Sequence, residues 1–369
     1  MSYESDKRVV LTLDAGGTNF VFSALQGYQE IVEPIRKAAV PDNIEKCLNV
    51  IEKGFLEVCK HIEEAPVAIS FAFPGPADYE NGVIGDLPNF KAFRGGVPMG
   101  PWLEQRFKIP VYINNDGNLF AYGEAIGGIL PEINAELKAA GQHRRYKHLL
   151  GITLGTGFGG GVVVDGNLLT GDNGCGGDVW LMRNRKYPNL IVEESVSIRA
   201  VKRVYGEKSG VSDNTLTPKD ICEIADGTKV GNQQAAQDSF FELGELCGEA
   251  IATALDIVDG IVVIGGGLTG ASSYIMPGVM KALRGNVSTF AGDSFPILQS
   301  DVYNWDDTNE RQSFLNISVE QVSVPGTTLS VPYIRKKALC VATSKNGASN
   351  SIMRGAYAFA LHQLDKKQF

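Results

Sequence analysis

LTLDAGGTNFVFSAL, residues 11–25, runs from an apolar stretch into an acid, two glycines and a threonine, then into a second apolar stretch. The pattern predicts strands over 9–13 and 19–25 joined by DAGGT. Glycine lets a backbone approach a ligand closely and adopt left-handed conformations. A tight turn whose N–H groups point one way forms a nest for an anion. Gly16 and Gly17 would supply such N–H groups, and Thr18 a hydroxyl. Asp14 would repel a phosphate unless a cation such as Mg2+ stood between them. Taken alone, the stretch is either half of a phosphate clamp or an ordinary glycine hairpin.

Further along, a helix is expected from about Asn43 to Lys60, then a strand in PVAISFAF that runs into Pro74-Gly75-Pro76. PVYINND, 110–116, reads as a strand with Asp116 at its end, and 117–126 as a helix start. Residues 131–147 turn polar and read as a surface excursion with a short helix. LLGITLGTGFGGGVVVDG, 149–166, repeats the opening pattern of strand, glycine turn and strand, which suggests two related halves. The broadest apolar face lies over Gln233–Val258. It feeds the strand GIVVI, then GGGLTG, with a helix expected over 271–283. Residues 290–331 show no clear period, and a helix closes the chain over 350–364. Strands alternating with helices make this an α/β protein.

Asp116 is the acid placed to do chemistry. A carboxylate at the carboxyl end of a strand can accept a proton from a substrate hydroxyl as that hydroxyl attacks phosphorus. Its neighbours Asn115 and Asn118 suit sugar hydroxyls, being donors and acceptors at once. An N-D-G turn of no special function fits the same residues.

The chain has 369 residues, enough for about two domains, and 34 basic against 42 acidic side chains give −8. That balance disfavours sequence-independent nucleic-acid binding. Six cysteines form no C-x-x-C pair, and Cys47, Cys247 and Cys340 sit in apolar settings that predict burial. No signal peptide and no apolar run of membrane-spanning length is read, so the expected compartment is the cytoplasm. Walker A, protein-kinase, zincin and G-x-S-x-G signatures are missing. The G-x-G-x-x-G at Gly155, Gly157 and Gly160 is followed by a strand, which disqualifies it as a dinucleotide fingerprint. A second copy at Gly265, Gly267 and Gly270 has a suitable local context but comes late in the chain.

Together these pieces resemble the ROK family of sugar kinases, within the hexokinase–actin–Hsp70 ATPase superfamily. D-x-G-G-T is met by Asp14 to Thr18, P-G-P by Pro74 to Pro76, and the Pro-Asn pair by Pro88-Asn89. N-D-x-N is met by Asn115, Asp116 and Asn118, with Glu124 following. L-G-T-G-x-G-G-G is met by Leu154 to Gly161, and the adenosine-site glycines by Gly265, Gly266 and Gly267. The likeness runs in order from about residue 9 to 270 and on to the closing helix. It implies two RNase-H-like, actin-like ATPase lobes around a central cleft. The smaller lobe would be 1–116, joined by the helix 350–369, and the larger 117–349.

The resemblance also implies ATP-dependent phosphorylation of glucose or a related hexose at the 6-hydroxyl, with Asp116 as base. Gly75, Asn89, Asn115, Asp116, Asp178 and Glu193 would hold the sugar. Asp14, Gly16, Gly17, Thr18, Thr156, Gly157, Gly265, Gly266 and Gly267 would face ATP, with Asp14 binding Mg2+ through water. Sugar and ATP are then the partners, with no nucleic acid, no membrane and a homodimer allowed.

Two departures stand out. The family's G-E-I-G-H becomes Gly177-Asp178-Val179-Trp180-Leu181, with a shorter acid and no histidine. The family's cysteine-rich zinc segment is replaced by MRNRKYPNLIV, 182–192, so no zinc is expected. An acid four residues before a serine fits Glu193 and Ser197, with Glu194 as the alternative register. The competing readings are a sugar-binding pseudokinase and a ROK-type regulator. For the regulator, no DNA-binding domain is expected, since eight residues stand before the first expected strand.

Overall fold

Seven residues, Val9–Ala15, form strand β1, and its first five are buried. Burial on both faces marks a central strand. It pairs antiparallel with β2 (Asn19–Gln26), from Val10 opposite Leu25 to Ala15 opposite Phe20, so the opening hairpin forms as expected. The structure is a computed structural model that describes residues 3–15, 19–75, 77–85, 92–211 and 215–367. The tip of this hairpin, Gly16 to Thr18, and the Pro88-Asn89 pair lie outside the described residues.

The chain divides into two compact units. The first comprises residues 1–131, 161–177 and 346–369. Helix α1 (Ile44–Val58) starts at Asn43, whose side chain accepts the Lys46 N–H. Its Cys47, Ile51, Phe55 and Val58 pack with Leu11, Leu13, Phe20 and Phe22 of the hairpin. Strand β3 (Pro66–Ala72) runs parallel to β1, and β4 (Val111–Asn114) parallel to β3. The sheet order is Gln29–Glu30, β2, β1, β3, β4. Strand β4 stops at Asn114, and Asp116 is the first residue of helix α2 (Asp116–Gly127). That corrects the strand-end expectation by one element. The Asn115 side chain accepts the Gly117 N–H and so caps the helix before the strand can continue.

Helix α2 crosses the closing helix Ala348–Lys366 at two glycines, Gly123 and Gly355. Buried Glu124 takes the Ser351 hydroxyl at 2.6 Å and the Ile129 N–H at 2.9 Å. Ile129 opens helix α3 (Ile129–Ala139), the short helix expected in this stretch, which starts two residues earlier than the polar segment, and α3 leads on to residues of the second unit.

The second unit comprises residues 132–160 and 178–345. The second sheet is built on β5 (Leu149–Leu154) and β6 (Phe158–Val164), which closes in a turn with Asp165 at φ 50° and Gly166 at φ 77°. Helix α4 (Gln233–Val258) has the expected bounds and leads to β7 (Ile261–Gly265) and helix α5 (Ser272–Leu283). β8 (Asp301–Asn304) and β9 (Ala338–Thr343) complete the order Asn167–Leu168, β6, β5, β7, β9, β8. β5, β7, β9 and β8 are parallel in turn. Both sheets therefore set a hairpin beside parallel strands, the duplication hinted at by the two glycine turns.

Residues 290–331 are more ordered than their composition suggests. They hold β8, a helix over Thr308–Leu315, and parts of two exposed hairpins, Asn286–Ser288 with Ser294–Pro296 and Glu320–Ser323 with Ser330–Tyr333. Cys47, Cys247 and Cys340 are buried as predicted. No helix among the described residues is long and apolar enough to cross a membrane.

Candidate active site

In the first unit, sheet register does the assembling. Asp14 pairs with Ala72, and Ala72 with Asn114, so three parallel strands end on one row. Two residues beyond Asn114 comes Asp116. The Asn114 carboxamide oxygen accepts both the Asn115 N–H (2.8 Å) and the Asn118 amide (3.0 Å), which ties the strand end to the first turn of α2. The Asp116 carboxylate accepts the Gly117 N–H at 2.9 Å.

The side chain of Asp116 opens to solvent, yet protein crowds its carboxyl. That burial pushes its pKa above the usual carboxylate range, and the negative charge of Asp14 adds to the rise. The bond from Gly117 opposes it. Burial also raises the Asp14 carboxyl, against the pull of Arg36. Two carboxyls held up at one sheet end form a donor set that a hard dication would relieve. Among the described residues no cluster of three or more His, Cys, Asp or Glu forms a ready-made metal cage. Gly75 lies just past β3, where the Tyr79 hydroxyl donates to the Phe73 carbonyl. The Phe73 N–H bonds the Asn114 carbonyl at 2.9 Å, which keeps this exit beside the same strand end.

The glycines of LGTGFGGG serve different ends. A methyl on Gly161 would stand 2.5 Å from the Gly117 carbonyl and 2.8 Å from the Asn118 Cα, so this glycine admits the start of α2. Gly159 makes room for the Thr153 hydroxyl. In the second unit, Thr156 is exposed at the tip of the turn, and Gly157 faces Glu193, whose Oε2 would lie 2.6 Å from an added methyl. That oxygen accepts the Phe158 N–H at 3.0 Å.

The other Glu193 oxygen meets Arg199 at 2.9 Å, and Arg199 also pairs with Glu194 at 2.7 Å. Arg199 further reaches the Thr156 carbonyl at 3.4 Å. Nothing in the sequence singled out this arginine except its spacing from the two acids. The Ser197 hydroxyl donates to the Glu193 carbonyl at 2.8 Å, which explains the acid-to-serine spacing.

Gly265 ends β7 opposite Thr153 of β5. Gly266 has φ 101° and packs against the Leu154 backbone, where no side chain would fit. The Leu268 N–H bonds the Leu154 carbonyl at 3.1 Å. The glycines at 265–267 thus lie beside the residues that lead into Thr156. Asp178 precedes a short 3-10 turn, Val179–Leu181, and does not cap it. Its carboxyl is pushed up by burial and forms no hydrogen bond with Glu193 among the described residues.

A family model described as "ROK family" matches residues 10–303. The chain belongs to the ROK family. A glucokinase of Parabacteroides distasonis of known structure is 54% identical, with a TM-score of 0.90 over 98% of this chain and 99% of that one. A glucokinase of Thermotoga maritima is 30% identical over 73% of this chain and 85% of that protein. An N-acetyl-D-glucosamine kinase of Vibrio cholerae is 29% identical over 69% of this chain and 83% of that protein. The fold of this ROK protein is the actin-like ATPase fold that more distant ROK kinases share.

Proposed function

We propose that this ROK protein transfers the terminal phosphoryl group of ATP to the 6-hydroxyl of a hexose, glucose or a close relative. The observation that carries this reading is the setting of Asp116. It is a carboxyl with raised proton affinity, at a strand-to-helix junction, on the sheet row of Asp14. Kinship with proteins named glucokinase and N-acetyl-D-glucosamine kinase supports the reaction class.

As the O6–phosphorus bond forms, the hydroxyl proton passes to the Asp116 carboxylate. The bond from phosphorus to the bridging oxygen breaks, and ADP leaves with the electron pair. Thr156, Gly157 and Gly265–Gly267 would face the nucleotide, as would Gly16, Gly17 and Thr18. Asp14 would hold Mg2+ through water, and the bound ion supplies neutralisation of phosphate charge. Gly75, Asn89, Asn115, Asp178 and Glu193 would orient the sugar. Asp178 and Leu181, in place of the glutamate and histidine of the family pattern, are where the hexose preference is set.

The test is a panel of hexoses and N-acetylhexosamines with ATP and Mg2+, with the product's phosphate located by 31P NMR. Sugar-dependent ADP release with phosphate on O6 supports the proposal. Phosphate on another oxygen, or ADP release that is the same with and without sugar, refutes it.

A further inference from the structure

We propose that Asn184 is a positioning residue for Glu193. The inference deepens the reading of Glu193 as a sugar ligand and rests on it. Glu193 sits in a single 3-10 turn, Val192–Glu194, flanked by Ile191 and Ser195. A turn of three residues has almost no stiffness of its own. Its placement must come from what grips its ends.

Asn184 grips both. Its side-chain amide donates to the Ser195 hydroxyl at 2.7 Å and to the Ile191 carbonyl at 3.3 Å. Its carboxamide oxygen accepts the Tyr187 N–H at 3.0 Å, and its own N–H bonds the Leu190 carbonyl at 3.0 Å. Asn184 is fully buried, and Ser195 is 3% exposed. A buried amide whose donors and acceptor are all engaged permits one arrangement of its partners.

The surrounding loop adds to the grip. Arg183 bridges Ile191, and the Val192 N–H bonds the Met182 carbonyl at 2.8 Å. Lys186 pairs with Glu242 at 2.6 Å, and Arg185 with Glu249 at 3.6 Å, which anchors the loop to α4. Residues 182–192 contain no cysteine or histidine, so this segment is closed by hydrogen bonds. At the far end of that closure, the Glu193 carboxylate meets the Phe158 N–H and Arg199.

The experiment compares Asn184→Ala and Asn184→Asp with Leu315→Ala, a buried control in the same unit, by kinetics and by amide hydrogen exchange at Phe158. Asn184→Asp retains the acceptor for Tyr187 and sets a carboxylate against the Ile191 carbonyl. The expected result is a rise of about tenfold or more in KM for the sugar, as for loss of a buried hydrogen-bond partner, with KM for ATP within about twofold. Exchange protection of the Phe158 amide falls in both variants and holds in Leu315→Ala. Unchanged Phe158 protection in folded Asn184 variants overturns the inference. So does a parallel shift of both KM values and kcat that Leu315→Ala reproduces. If no hexose is turned over by the parent while Phe158 protection still falls, the placement of Glu193 stands and the sugar reading falls.

Discussion

Gly355 of the closing helix crosses Gly123 of α2 with no room for a methyl on either. A side chain at Gly123 would run into the Ser351 carbonyl, and one at Gly355 into the Leu119 carbonyl. The helix that begins with Asp116 is therefore seated by backbone contact against the last helix of the chain. Gly355→Ala should lower stability by about 1–3 kcal/mol, the usual cost of overpacking. It should also reduce kcat, because the start of α2 shifts with its middle. Thermal melting and single-turnover rates check both, and a melt unchanged from the parent would mean that the crossing is looser than described.

Asp116→Asn separates chemistry from stability. Loss of a general base should reduce kcat by about 10²-fold or more. The effect on stability has the opposite direction. Burial raises the carboxyl of Asp116 in the folded state, so folding disfavours its charged form. That penalty is present above the folded pKa and disappears as pH falls towards the unfolded value, about 3.9. The asparagine variant should melt higher than the parent at pH 7, and the gap should close as pH approaches 4. Melting curves across pH would show it.

The same shift predicts the acid limb of the activity profile. A base with raised proton affinity loses activity as pH falls through its folded pKa, so the limb of kcat/KM should lie above pH ~4, the ordinary aspartate value. In the metal-free protein, Asp14→Asn removes a like charge and should lower the Asp116 pKa. Carbon-13 NMR of the Asp116 carboxyl in both proteins measures the shift directly. An Asp116 value unchanged by Asp14→Asn would mean that the two acids do not sense each other.

At Gly266 the backbone has φ 101° and leaves no space before the Leu154 carbonyl. Gly266→Ala should strain this turn by about 1–3 kcal/mol. On the proposed reading it should raise KM for ATP more than KM for the sugar. Initial-rate kinetics with each substrate varied in turn would distinguish this from a uniform loss.

Much of this was legible because long, periodic elements announce themselves. Gln233–Val258 has a wide apolar face over seven turns, and the opening hairpin is buried on both sides of its glycine turn. β9 was missed although it lies inside its sheet, since ALCVAT is short and follows Arg335-Lys336-Lys337. The helix over Thr308–Leu315 buries only Phe314 and Leu315, which leaves little period to read. The site acids were read from motif and resemblance, but their register was not. Pairing of Asp14 with Ala72, and of Ala72 with Asn114, is a tertiary fact. Asn184 had no signal at all, because its partners lie 7 and 11 residues away in a loop without periodicity.

The account depends most on Asp116 as the base of a sugar phosphorylation. Its most direct test is the steady-state kcat of the parent and Asp116→Asn with ATP, Mg2+ and the best hexose of the panel. The account predicts sugar-dependent turnover by the parent and a loss of about 10²-fold or more in a variant that remains folded. Turnover by the variant close to that of the parent would contradict it.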